Sequence, residues 1–178
     1  MPGGRIDTER DFTALGIAVL TISDSRNEAT DTSGELLALR IGASGHHLRE
    51  RALVRHDKPD ILRQVQSWIE SPAIDVIITN GGTGLSARDV VPDTLRKLFD
   101  TEFEGFGVLW HMISYETVGV ATMQSRACAG IAGNTVIYAL PGSNGACRDG
   151  WDKLISLQLD SRFRPCSVVE LIPRFHKQ

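Results

Sequence analysis

Apolar and polar positions alternate along this chain between two periods. Residues 16–23 (GIAVLTIS) form a short unbroken apolar run rich in β-branched side chains, the pattern of a strand buried on both faces. A polar stretch follows to residue 31. Thr32 with Glu35 three positions on has the form of a capping box, so a helix is expected to begin at Thr32, with Leu36, Leu37 and Ile41 inward and Gly42 and Gly45 ending it. Residues 47–54 read as a second, less apolar strand nearer an edge. Pro59 opens a helix whose inner face is Ile61, Leu62, Val65, Trp68 and Ile69. Residues 74–79 (IDVIIT) are the clearest central strand, and they run directly into Asn80, Gly81, Gly82, Thr83 and Gly84. A short helix is expected from Pro92 to Phe99 and a longer one over 106–118. Residues 134–140 form a strand closed by Pro141 and Gly142. A last helix carries Trp151, Leu154, Ile155 and Leu159 inward, and residues 168–172 read as an edge strand.

Strands alternating with helices imply βαβ crossovers and a mostly parallel, doubly wound sheet with helices on both faces. No repeat, low-complexity linker or composition break divides the 178 residues. The expectation is a flexible N-terminal segment over 1–14 and one α/β domain over 15–173.

Charge and cysteine content narrow the function classes. The net charge is −3, from 19 basic and 22 acidic residues, without the basic excess of a nucleic-acid binder. The three cysteines, Cys128, Cys147 and Cys166, form no CxxC unit and suggest neither a zinc site nor a disulfide framework. No apolar run approaches the roughly 18 residues of a membrane span, and the polar N-terminus lacks a signal-peptide pattern. The expectation is a cytoplasmic protein with no membrane and no nucleic-acid partner.

In an open α/β sheet, ligands gather at the carboxyl ends of the strands. Four polar loops fall there. In residues 80–84, glycines permit positive φ and close backbone approach, so exposed N–H groups can cradle phosphate oxygens. The run is neither GxGxxG nor a P-loop. Read locally, a phosphate cradle and a plain connecting turn both remain open. Asp89 beside such a turn suits a hard cation such as Mg²⁺, or is a loop carboxylate. Asp57 is either a second site carboxylate or a helix-entry residue. Asp24, followed by Ser25 and Arg26, is either a ligand contact or a solvated loop. Ser143 either binds an anion or caps the last helix, two compatible roles. Arg126 either binds an anion or forms an internal ion pair. The five histidines have no metal-ligand spacing, and the tryptophans fit helix faces.

The run at residues 78–93, ITNGGTGLSARDVVPD, resembles the TGGTG…RD…P-D segment of the MoaB/Mog family, the molybdopterin-binding proteins of molybdenum-cofactor synthesis related to the gephyrin G domain. GIAVLTISDSR resembles that family's first strand and loop, QSR at 124–126 its SR segment, and LPGSNGACRDGWDKLI its PGS loop and last helix. SRFRPCSVV at 161–169 resembles the tail of the MoaB branch. The resemblance spans residues 14–173. It implies a three-layer αβα fold and homotrimers or homohexamers. It also implies adenylylation of molybdopterin with Mg²⁺ and ATP, releasing pyrophosphate. By the same resemblance Asp57 and Asp89 are the acidic pair, with Asp89 on the metal. Gly81, Gly82, Thr83 and Gly84 are the phosphate-contacting turn, with Ser125, Gly142 and Ser143 as further positions; Asp24 and Asn80, at their strand ends, complete the expected substrate contacts. Asn80 departs from the family, where Thr or a small residue is usual. The alternative is a non-catalytic molybdopterin carrier or assembly protein of the same pathway.

Overall fold

A computed structural model of the protein describes residues 4–174. Eight strands are numbered in chain order: β1 Arg5–Ile6, β2 Gly16–Ile22, β3 His47–Val54, β4 Val76–Asn80, β5 Thr101–Glu102, β6 Cys128–Ala132, β7 Thr135–Leu140 and β8 Phe163–Arg164. The helices are α1 Thr32–Ala43, α2 Lys58–Ile69, α3 Val91–Leu95, α4 Glu104–Val118 and α5 Asn144–Gly150, which continues through a π turn into α6 Ser156–Leu159.

The main sheet has the order β3-β2-β4-β7-β6-β5. The β2–β3, β2–β4 and β4–β7 pairs are parallel; β6–β7 and β5–β6 are antiparallel. All residues of β2, β4 and β7 are buried, because helices cover both faces of this sheet. Alternate side chains feed two cores. Ile17, Val19, Val76, Ile78, Val136 and Tyr138 pack with Leu37, Ile41, Trp110, Trp151 and Ile155 from α1, α4 and the last helix. Ala18, Leu20, Ile77, Ile137 and Ala139 point the other way, to Ile61, Val65 and Trp68 of α2 and Val91 and Leu95 of α3. This is the three-layer arrangement expected from the sequence.

Three expectations are corrected. Residues 5–13 are tied down rather than loose: β1 pairs with β8, the Thr13 N–H donates to Ser161 Oγ at 2.9 Å, and Phe12 packs on His46. Residues 1–3 lie outside the described part. The segment 168–172 is not a strand; it forms 3₁₀ turns, with Val168 and Val169 packed into the core. Helix α1 does begin at Thr32, but its cap is Asp31, whose carboxylate accepts from the Gly34 N–H at 2.9 Å.

Candidate functional site

Three parallel strands end side by side at one edge, and the loops after β2, β4 and β7 meet there with the loop after β3. The turn after β4 is shaped by glycine. Gly81 has φ 101° and Gly82 φ 64°. A Cβ on Gly81 would lie 2.3 Å from the Ile22 carbonyl oxygen, and one on Gly142 would lie 3.0 Å from Gly81 Cα. The Gly81 N–H donates to the Leu140 carbonyl, so the β4 and β7 loops are locked against each other. The N–H groups of Gly82 and Thr83 make no hydrogen bond to the described residues, although both residues are buried.

Asp89 folds back beneath this turn. Its Oδ2 accepts from the Ser86 N–H at 2.9 Å and the Ser86 hydroxyl at 2.6 Å, while no side chain donates to Oδ1. A Cβ on Gly84 would stand 2.8 Å from Oδ2, so the carboxylate packs directly against the Gly84 backbone. Partial burial pushes the Asp89 carboxyl up. Ser86, the Gly84 N–H and nearby His56 outweigh it and hold the group below the usual 3.8. Asp89 is an anion at neutral pH.

Asp24 closes the other lip. Its Oδ2 lies 3.0 Å from His56 Nδ1 and pairs with the Arg88 guanidinium, and its Oδ1 accepts from the His56 N–H at 3.2 Å. Desolvation raises the Asp24 carboxyl, but His56 and Arg88 overcome it and leave the group below 3.8. Arg88 thus bridges the β4 loop to the β2 loop. His56, beside Asp57, reaches the floor of the cleft, its Cδ2 3.1 Å from where a Gly82 side chain would start.

The structure does not bring every expected residue into this cleft. Asp57 stands at the N-cap of α2, exposed, with no hydrogen bond to its carboxylate, next in sequence to the cleft residue His56. Ser143 caps α5, accepting from the Ala146 N–H at 3.1 Å. Thr32, which receives a hydrogen bond from Arg26, donates to the adjacent Asn144 at 3.1 Å. Asn80 is fully buried and faces inward: its Nδ2 donates to Thr21 Oγ1 and its Oδ1 accepts from Ser33. Thr21 and Arg51 both donate to Asp31 in the same network. Asn80 therefore braces the turn from below, and as a side-chain ligand contact it is corrected. Ser125 Oγ accepts from Trp110 Nε1 at 3.0 Å and lines a separate hollow of about 510 Å³ beside α4 with Glu104, His111 and Cys128. Another hollow, of about 600 Å³, lies between Arg5 and Pro165. Neither includes the glycine turn.

His56, Arg88 and Asp31 are the members that sequence reasoning missed. His56 adjoins Asp57 in a loop already placed at the strand ends, which was the available signal. Asp31 carries a helix-entry signature that a neighbouring Thr obscured. Among the described residues no three His, Cys, Asp or Glu side chains form a ready metal cage. One ionised carboxylate beside unpaired backbone donors is the arrangement present.

The fold is an open, mostly parallel α/β sheet with a glycine turn where its strand-end loops gather, and comparison with known proteins narrows this class. A family model described as "Probable molybdopterin binding domain" matches residues 18–161. The molybdenum cofactor biosynthesis protein B of Escherichia coli (strain K12) is 45% identical over 163 residues, covering 92% of this chain and 95% of that protein. The protein of the same name from Bacillus subtilis (strain 168) is 37% identical over 142 residues, 79% of this chain and 84% of that one. A crystal structure of a molybdenum cofactor biosynthesis protein B superposes with TM-score 0.85 at 36% identity, covering 95% of this chain and 100% of the other. The tungsten cofactor synthesizing protein MoaB from Pyrococcus furiosus gives TM-score 0.74 at 32% identity, with 93% and 98% covered. The chain belongs to the MoaB/Mog family of molybdenum cofactor biosynthesis proteins.

Proposed function

We propose that this protein binds molybdopterin and ATP at the glycine turn and transfers the adenylyl group to the terminal phosphate of the pterin. That phosphate oxygen attacks the α-phosphorus of ATP, the bond to the bridging oxygen of the β-phosphate breaks, and pyrophosphate leaves. The reading is carried by the N–H groups of Gly82 and Thr83, two buried residues, which have no hydrogen-bond partner among the described residues. An unsatisfied buried donor is costly, and phosphate oxygens would satisfy both. Both reactants are anionic, so positioning and charge stabilisation dominate the barrier.

The residues fit a divalent cation. Asp89 is ionised and its Oδ1 is free of side-chain donors, and Mg²⁺ ordinarily takes one or two protein carboxylates with substrate phosphates and water. Asp89 would hold it, and the ion when bound would supply charge neutralisation between the phosphates. Gly82 and Thr83 orient the phosphate chain, and Arg88 stands at the lip with positive charge. Ser143 and the start of α5 offer a second polar wall beside Gly142.

The decisive assay is incubation of purified protein with molybdopterin, ATP and Mg²⁺, following adenylylated pterin and pyrophosphate. Asp89→Asn should abolish turnover while retaining pterin binding. Full activity in that variant would remove Asp89 from the chemistry. A second reading, a pterin carrier without catalysis, is favoured by one observation: half of the Asp89 carboxylate is already engaged by Ser86. Pterin binding with no pyrophosphate release in the wild type would select it.

A further inference from the structure

The loop from Thr83 to Asp93 holds Asp89 but has little of its own to hold it. Leu85, Ser86, Ala87 and Arg88 are exposed. The internal backbone bonds are Asp89 N–H to Ser86, Val90 N–H to Arg88 and Val91 N–H to Gly82. Arg88 pairs with Asp24 across the cleft, and one further residue outside the loop supplies several more ties. The Arg126 N–H donates to the Thr83 carbonyl at 2.8 Å, and its Nε donates to the Gly84 carbonyl at 2.8 Å. One terminal nitrogen donates to the Asp89 carbonyl, and the other to both oxygens of Asp93 at 2.9 and 3.1 Å. Every guanidinium nitrogen is engaged within the protein.

We infer that Arg126 is a positioning residue of the site: its planar fork fixes the carbonyls of Gly84 and Asp89 relative to each other, and so sets where the Asp89 carboxylate stands against the phosphate turn. The inference rests on the reading of that turn as a phosphate site. Its physical basis is the rigidity of the fork. Lysine keeps the charge but offers one flexible nitrogen, and cannot reach Gly84, Asp89 and Asp93 at fixed angles. Arg126 also roots the loop in a firm support. It lies between Ser125, which accepts from the buried Trp110, and the buried Ala127, which leads into β6 at the buried Cys128.

The test uses the full chain as wild type, Arg126→Lys, Arg126→Ala and Asp93→Asn. Amide hydrogen exchange over residues 84–90 should accelerate roughly tenfold to a hundredfold in Arg126→Lys, equivalent to about 1.4–2.8 kcal/mol of lost protection. Asp93→Asn keeps both carbonyl ties and should change exchange by less than about threefold. In the adenylylation assay, corrected for folded fraction, kcat of Arg126→Lys should fall far more than KM for ATP rises, and added guanidinium ion should partly restore Arg126→Ala where ammonium does not. Unchanged exchange in Arg126→Lys overturns the inference. So does a loss of activity explained wholly by unfolded protein. A wild type without turnover refutes adenylyl transfer instead, and the exchange measurement still decides on Arg126.

Discussion

Replacing Gly81 by alanine isolates what the turn demands of the chain. At φ 101° the residue sits where an L side chain is strained, and the new Cβ would lie 2.3 Å from the Ile22 carbonyl oxygen. That oxygen belongs to the end of β2, a fully buried strand paired on both sides, so it cannot swing aside as a side chain would. Positive φ costs an L residue roughly 1–2 kcal/mol, and forcing atoms into packed, immobile surroundings adds about 1–3 kcal/mol. The sum is about 2–5 kcal/mol. For a chain of this size each kcal/mol moves the midpoint by roughly 2–4 °C, so Gly81→Ala should melt about 4–20 °C below wild type. Gly42→Ala is the matched control. Gly42 lies in α1 with ordinary φ and nothing within 4 Å of its added Cβ. It should leave stability unchanged or raise it by up to about 1 kcal/mol, since alanine restricts the unfolded chain. Both are read by thermal and urea melts at one pH. A Gly81→Ala protein melting with wild type and with Gly42→Ala would refute the claim that this backbone geometry needs glycine.

Acid stability provides a second test, at His46. Its Nδ1 accepts from the Leu15 N–H at 3.2 Å, which requires the neutral ring, and burial pushes its pKa below 6.5 against the opposing pull of Asp160 and Asp75. The unfolded chain therefore binds a proton that the folded one refuses, so this contribution is complete above about pH 6.5 and is lost as pH falls below it. Melting temperature should drop from pH 7 to 5 in wild type and less steeply in His46→Asn; parallel profiles would contradict this. A third test concerns assembly. Met112, Tyr115, Val120 and Met123 are 60–78% exposed on α4 and the turn after it, whereas Trp110 is core. A homotrimer or homohexamer built on that face is proposed, so light scattering should give a multiple of 19.5 kDa that Met112→Glu reduces. A wild type of 19.5 kDa alone would reject it.

The parts legible in the sequence are those where one local rule acts alone. β2, β4 and β7 are buried on both faces, so they appear as unbroken apolar runs; α2 shows its inner face because only one side is covered. β6 escaped notice because Cys128, Ala129 and Gly130 are small, and their burial comes from antiparallel pairing with β7 rather than from their own hydrophobicity. Residues 168–172 have a strand's composition, but Val168 and Val169 turn into the core and the segment closes on itself as 3₁₀ turns. The site divides in the same way. Gly81, Gly82 and Gly84 are readable because positive φ or close approach leaves glycine as the residue that fits. The partners of Asp24 and the anchor of the Asp89 backbone are not readable, because they lie 32, 64 and 37 positions away, as in Asp24 with His56, Asp24 with Arg88, and Asp89 with Arg126. Nothing local distinguishes these side chains from solvated ones. Asn80 shows the converse: its place in a recognisable motif suggested ligand contact, while the buried hydroxyls of Thr21 and Ser33 claim its amide. Motif membership located the turn, but the direction of each side chain was decided by which buried polar groups needed partners.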